Sequence, residues 1–144
     1  MTFRINFSVP GQPVPKQRAR VTSQGTYYAP RPRGSTRLSY LEYRELVQAE
    51  AMKALANLQG DDLRYWNEEW GGRPRVWHEG DMGISIKARL GAGDADNVLG
   101  SILDALQGIL WENDKQVLQA SVLLERVPAK APRGVEVECF VLEE

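Results

Sequence analysis

With 144 residues, 42% of them hydrophobic and 26% charged, the chain has the composition of a soluble globular protein and the size of one domain, and no apolar run approaches the roughly 18 residues of a membrane span. A single cysteine, Cys139, and a single histidine, His78, exclude an internal disulfide and a Cys/His zinc site, and leave any Ser/His or Cys/His mechanism resting on two residues. The formal charge of −1 hides an asymmetry: residues 1–44 hold eight basic residues against Glu42, a balance of +7, while the remainder holds ten basic and eighteen acidic, a balance of −8.

The amino terminus, Met1-Thr2-Phe3-Arg4-Ile5, lacks the apolar stretch of a secretory signal, so a cytoplasmic protein is expected. Phe3, Ile5, Phe7 and Val9 alternate with polar residues and predict a half-buried strand that Pro10-Gly11 ends. Residues 10–37 then form an irregular basic segment. It carries Lys16, Arg18 and Arg20, with Tyr27 and Tyr28 beyond them, and is the footprint expected of nucleic-acid binding, because cations that neutralise phosphates release condensed counterions. Ser39 and Glu42 fit a capping box, and Tyr43, Val47, Ala51, Ala54, Leu55 and Leu58 recur at helical spacing, so a first helix is predicted over about 40–58.

Residues 60–80 shift to Asp, Gly and Trp and read as a loop excursion; Trp66, Trp70 and Trp77 there are either core or an exposed aromatic anchor for a partner. His78 falls in this loop. Met82, Ile84, Ile86, Ala88 and Leu90 alternate as a strand, and Leu99, Ile102, Leu103, Leu106 and Leu110 form the apolar stripe of a second helix that Gly108 stops. Leu118, Ala120, Val122 and Leu124 predict another strand, and Val135, Val137, Cys139 and Val141 a last one, with Cys139 as a small buried residue. The order β-α-β-α-β-β gives an α+β fold: one domain over residues 1–144, with a small mixed sheet of about four strands covered by two helices.

The second helix has carboxylates at both ends, in Gly93-Asp94-Ala95-Asp96-Asn97 and in Trp111-Glu112-Asn113-Asp114-Lys115-Gln116-Val117. Hard divalent cations such as magnesium take oxygen ligands, usually carboxylates with waters and substrate phosphate, so the pattern points to phosphate chemistry. Two like charges about 6 Å apart repel by roughly 0.7 kcal/mol in water and by roughly 3 kcal/mol at an effective dielectric near 20. An exposed pair therefore needs nothing beyond capping and the helix dipole, whereas a pair lining a cleft calls for a cation or a proton. A helix over 97–108 is about 18 Å long. Asp114 can then join Asp94 and Asp96 only if residues 109–113 run back along it or if a partner subunit supplies it. Asn97, Gly100 and Asp104 make a polar stripe on this helix that either faces the site or is simply solvated.

Asp94-Ala95-Asp96-Asn97, Leu103-Asp104-Ala105-Leu106, Gly108, Trp111 and Asn113-Asp114-Lys115-Gln116-Val117 together resemble the signature of the RusA-type endodeoxyribonucleases, the phage-borne Holliday-junction resolvases. Gly11-Gln12-Pro13-Val14-Pro15-Lys16-Gln17-Arg18-Ala19-Arg20 resembles the opening of the phage members. The resemblance spans most of the chain apart from residues 60–80. It implies a homodimeric, magnesium-dependent nuclease, with manganese as a substitute, that resolves four-way DNA junctions by paired symmetric nicks. The family's essential acidic residues fall on Asp94, Asp96 and Asp114, which by analogy hold the metal, with Asn97, Asp104 and Asn113 around them and Lys16, Arg18, Arg20 and Lys115 on DNA.

Two positions depart from the family. The lysine usual four residues after the second aspartate is Gly100 here, with Lys16, Lys115 and Lys87 as candidate substitutes, and Asn113 replaces a second acidic residue. These departures keep a second reading open, in which the protein binds junctions but cuts them weakly or not at all.

Overall fold

The computed structural model describes residues 4–16, 20–27, 38–57 and 76–142. Strand β1 (Arg4–Pro10) is followed by a short antiparallel hairpin, β2 (Arg20–Thr22) and β3 (Gly25–Tyr27), and then by helix α1 (Tyr40–Ala56). Strand β4 (Met82–Leu90), helix α2 (Ala95–Leu106), a 3-10 turn (Asp114–Gln116), β5 (Val117–Arg126) and β6 (Gly134–Val141) complete the chain. The four longer strands form one mixed sheet in the order β1-β6-β4-β5, in which only β4 and β5 run parallel.

This is the expected α+β fold, and alternation explains it. Phe7, Val137, Ile86 and Val122 stand side by side across all four strands, as do Val9, Val135, Ala88 and Leu124. These rows make the apolar face that the helices cover. The opposite face carries Asn6, Ser8, Ser85, Lys87, Glu136 and Glu138, with exposed ion pairs Arg4–Glu138 at 3.7 Å and Arg89–Glu125 at 3.6 Å that contribute little. Gly83 is buried on this face because the Phe140 ring lies over it: a Cβ there would sit 2.3 Å from the ring.

Helix α1 begins where the sequence predicts, with a complete capping box. Ser39 Oγ accepts the Glu42 amide at 3.2 Å, and the Ser39 amide donates to the Glu42 carboxylate at 3.0 Å. It buries Tyr40, Tyr43, Val47 and Ala51 and ends at Ala56, two residues early.

Three expectations are corrected. The face that α2 buries is Val98, Ser101, Ile102, Ala105 and Leu106; the expected Ile102 and Leu106 are inward, as is Leu110 beyond the helix, but Leu99 and Leu103 are only partly buried, and the helix spans 95–106 rather than 97–108. Small Ser101 and Ala105 sit inward because α2 packs closely against α1, where the Gln48 amide donates to the Ala105 carbonyl at 3.1 Å. Leu118 is 64% exposed rather than inward, because the register slips between Met82 and Gly83 and throws it out of phase with Ala120, Val122 and Leu124. The segment 10–37, expected to be irregular, contains the β2–β3 hairpin.

Trp77 is fully buried among core residues and so cannot belong to an exposed aromatic anchor. Trp66, Trp70, Arg18 and Tyr28 lie outside the described residues. His78 is a loop residue, its amide donating to the Leu110 carbonyl and its carbonyl accepting from Gln116. Cys139 is buried on β6, where burial and then the Glu138 charge raise its thiol pKa above the ordinary range. No helix among the described residues is long and apolar enough to cross a membrane.

Candidate active site

Strand β4 delivers the chain to Gly91-Ala92-Gly93, and Gln12 clamps this turn from the amino-terminal segment. Its Nε2 donates to the Ala92 carbonyl at 2.8 Å, and its Oε1 accepts the Gly91 amide at 2.9 Å. Two directional bonds from one side chain hold the turn at a fixed height before α2 begins. The Arg133 guanidinium packs over Gly91, 2.4 Å from where a Cβ would stand. Gln12 and Arg133 were not singled out in the sequence. Gln12 stands in the proline-rich opening, but its partners are backbone groups 79 and 80 residues away, which leave no local signature.

Asp94 is the N-cap of α2, its Oδ1 accepting the Asn97 amide at 2.9 Å. Asp96 follows in the first turn. Both side chains are exposed, as is Asn97, at the end of the helix where unpaired amides favour negative charge. One turn further along, Gly100 is met by the stem of Lys16: a Cβ at Gly100 would lie 3.4 Å from Lys16 Cδ and 3.6 Å from its Cβ. Lys16 itself is exposed, while Pro13 and Val14 just before it are buried.

Asp114 stands elsewhere. After α2 the chain makes a tight reversal in which the Gly108 amide donates to the Trp111 carbonyl at 2.6 Å, and it does not run back along the helix. The Asp114 amide donates to Gln107 Oε1 at 3.3 Å, beside the last turn of α2. Its Oδ1 accepts the indole N–H of buried Trp111 at 2.9 Å, which holds the carboxylate in place. The parallel pairing of Met82 with Val117 and of Leu90 with Arg126 makes the separation plain. Asp94 follows the last residue of β4 and Asp114 precedes the first of β5, so they lie at opposite ends of these parallel strands. The twelve-residue helix between them is about 18 Å long.

The expected residues therefore fall into three groups. Asp94, Asp96, Asn97 and Lys16 gather at the amino end of α2, and Asn113, Asp114 and Lys115 gather at its carboxyl end. Asn113 Oδ1 is engaged there, accepting the Lys115 amide at 2.9 Å. Asp104 belongs to neither end. Tyr40 Oη donates to its carboxylate and Arg44 lies 3.6 Å from it, so it ties α1 to α2. Arg20 opens β2.

Among the described residues of one chain, no three His, Cys, Asp or Glu side chains stand close enough to hold a metal ion. The donors at each end are hard oxygens of the kind magnesium takes, but one chain brings together two of the three carboxylates and not the third.

The family model described as endodeoxyribonuclease RusA matches residues 10–139 of the chain. No curated protein matches it.

Proposed function

The chain belongs to the RusA endodeoxyribonuclease family, and from that premise we propose that it cuts four-way DNA junctions as a homodimer, with each metal site completed across the two subunits. The observation that carries this reading is the exposed Asp94 and Asp96 pair at the amino end of α2, in a chain matched to the family over residues 10–139. Asp94 and Asp96 of one subunit and Asp114 of the partner subunit would hold a magnesium ion, for which manganese could substitute. When bound, the ion supplies Lewis acidity and lowers the pKa of a coordinated water.

The edge of the sheet supports the pairing. Strand β5 is ten residues long, no described strand pairs with its outer side, and it carries exposed Leu118 and Leu123. Such an edge is a template for another strand. Antiparallel pairing of two β5 strands about a dyad brings the Val117 end of one to the Arg126 end of the other. It thereby brings the Asp114 end of one subunit to the Asp94 and Asp96 end of the other, twice by symmetry.

The chemistry is hydrolysis of a phosphodiester. A water oxygen adds to phosphorus, one P–O ester bond breaks, and the water's proton ends on the departing oxygen, leaving a phosphate monoester and a hydroxyl. Asp94 is held by its own cap to Asn97 and Asp114 by the Trp111 indole, so both carboxylates are oriented in advance. Lys16, Arg18, Arg20 and Lys115 contact DNA phosphates and set its position. A dyad-related pair of sites meets two equivalent strands of a junction and nicks them symmetrically. The cytoplasm of a bacterial host is where a phage-type resolvase of this kind would act.

The test is a labelled four-way junction incubated with magnesium and either the parent protein or Asp96→Asn. The parent should nick opposed strands, and the variant should be slower on the order of 10²-fold or more. No nicking by the parent, or equal nicking by both, rejects the reading. Gly100 favours a second one, a junction binder without cutting, which predicts salt-sensitive binding that Arg18→Ala and Arg20→Ala weaken and no metal-dependent products.

A further inference from the structure

Cutting a phosphodiester concentrates negative charge on the non-bridging oxygens of phosphorus, and the acidic end of α2 adds more. A cation beside Asp94 and Asp96 would offset both. On α2 itself none is available, since the residue one turn beyond Asp96 is Gly100 and the helix contains no lysine or arginine. The amino-terminal segment meets the helix at this position. Gln12 is bonded to the turn before Asp94, Pro13 and Val14 are buried, and Lys16 lies with its aliphatic stem against Gly100. Residues i and i+4 of a helix share a face about 6 Å apart, so this stem rests one turn from Asp96, and its ammonium extends two bonds beyond the Cδ that touches the glycine. No described group pairs with Lys16.

We propose that Lys16 is a catalytic residue: it reaches over Gly100 and places its ammonium on the phosphate being cut. The helix gives up a side chain at that position and the basic segment supplies one in its place. The contact distances show why the two are alternatives. A Cβ at Gly100 would touch the Lys16 stem at ordinary van der Waals distance, but a long side chain there would need the volume that the stem fills. This inference rests on the nuclease reading above.

The experiment compares the parent, Lys16→Met, Lys16→Ala, the double variant Lys16→Ala with Gly100→Lys, in which alanine vacates the volume the stem fills, and Lys53→Met as a control on α1. Methionine keeps the stem and removes the charge, and a melting temperature near the parent's establishes that each variant is folded. Two quantities are read: the nicking rate on a four-way junction with magnesium, and the salt dependence of junction binding in EDTA. Lys16→Met should lower the rate about 10²-fold. It should also reduce the slope of log K against log salt by about 0.9, the loss of one phosphate contact. The double variant should recover most of both, and Lys53→Met should change neither.

A Lys16→Met protein that nicks at the parent's rate, or a Lys16→Ala loss that a lysine at position 100 does not restore, overturns the proposal while leaving the nuclease reading intact. Failure of the parent to nick defeats the nuclease reading instead, and the slope in EDTA still decides whether Lys16 meets a phosphate.

Discussion

The separation of Asp114 from Asp94 and Asp96 predicts that two inactive variants should rescue each other. Asp96→Asn and Asp114→Asn homodimers each carry a damaged carboxylate set in both sites, and each should nick a junction slower by on the order of 10²-fold or more. Within one chain the two positions lie at opposite ends of a helix about 18 Å long and at opposite ends of the parallel strands β4 and β5. If each site draws Asp114 from the partner subunit, a mixed dimer holds one site with both lesions and one with none. Random exchange of equal amounts makes about half the dimers mixed, so about a quarter of the sites should be intact. The assay is strand-specific nicking of a labelled four-way junction after mild denaturation and co-refolding. Nicking should return to about a quarter of the parent's, and the products should be singly nicked junctions rather than resolved duplexes. Mixtures no more active than either variant alone would refute the shared site.

Replacing Gln12 with Ala removes both bonds that hold the Gly91 to Ala92 turn. A loss of about 1–2 kcal/mol in denaturant stability is expected, with a fall in kcat larger than any fall in junction affinity. Gly83→Ala drives a Cβ into the Phe140 ring and should cost about 1–3 kcal/mol. In a double-mutant cycle with Phe140→Ala that cost should largely vanish, and strict additivity would contradict the contact. The Cys139 thiol, its pKa raised by burial and then by Glu138, keeps a proton that the unfolded chain releases above about pH 8.5. Its contribution to stability is complete below that pH and declines as pH rises, so the melting temperature should drop on the alkaline side. A disulfide-exchange reagent should label Cys139 only on unfolding.

Strands β1, β4 and β6 were legible because each sets a purely apolar face against the helices, so alternation alone carries their assignment. Helix α1 was legible through Ser39 and Glu42, a pair whose reciprocal bonds form locally. In α2 the apolar pattern picks out Ile102 and Leu106 but weighs Leu99 and Leu103 above Ser101 and Ala105, whereas a close helix contact selects for small size. Leu118 was misread because a register slip is a property of two strands and leaves no mark in one. The β2–β3 hairpin escaped notice inside a segment dominated by charge. For the site, the acidic residues could be picked out from the sequence, but their spacing in space could not. Whether Asp114 lies beside Asp94 depends on β4 and β5 being parallel, and neither strand's own pattern states its direction. The contact of Lys16 with Gly100 is likewise set by where buried Val14 anchors the segment.

That anchor has a consequence of its own. Lys16 lies two residues beyond Val14, a reach of about 7 Å at full extension, so the first cation of the basic segment is on a very short leash. A charge confined in this way searches a small volume beside the acidic end of α2 and meets an incoming phosphate at high local concentration. Trimming Val14 would lengthen that leash without touching any group that handles DNA.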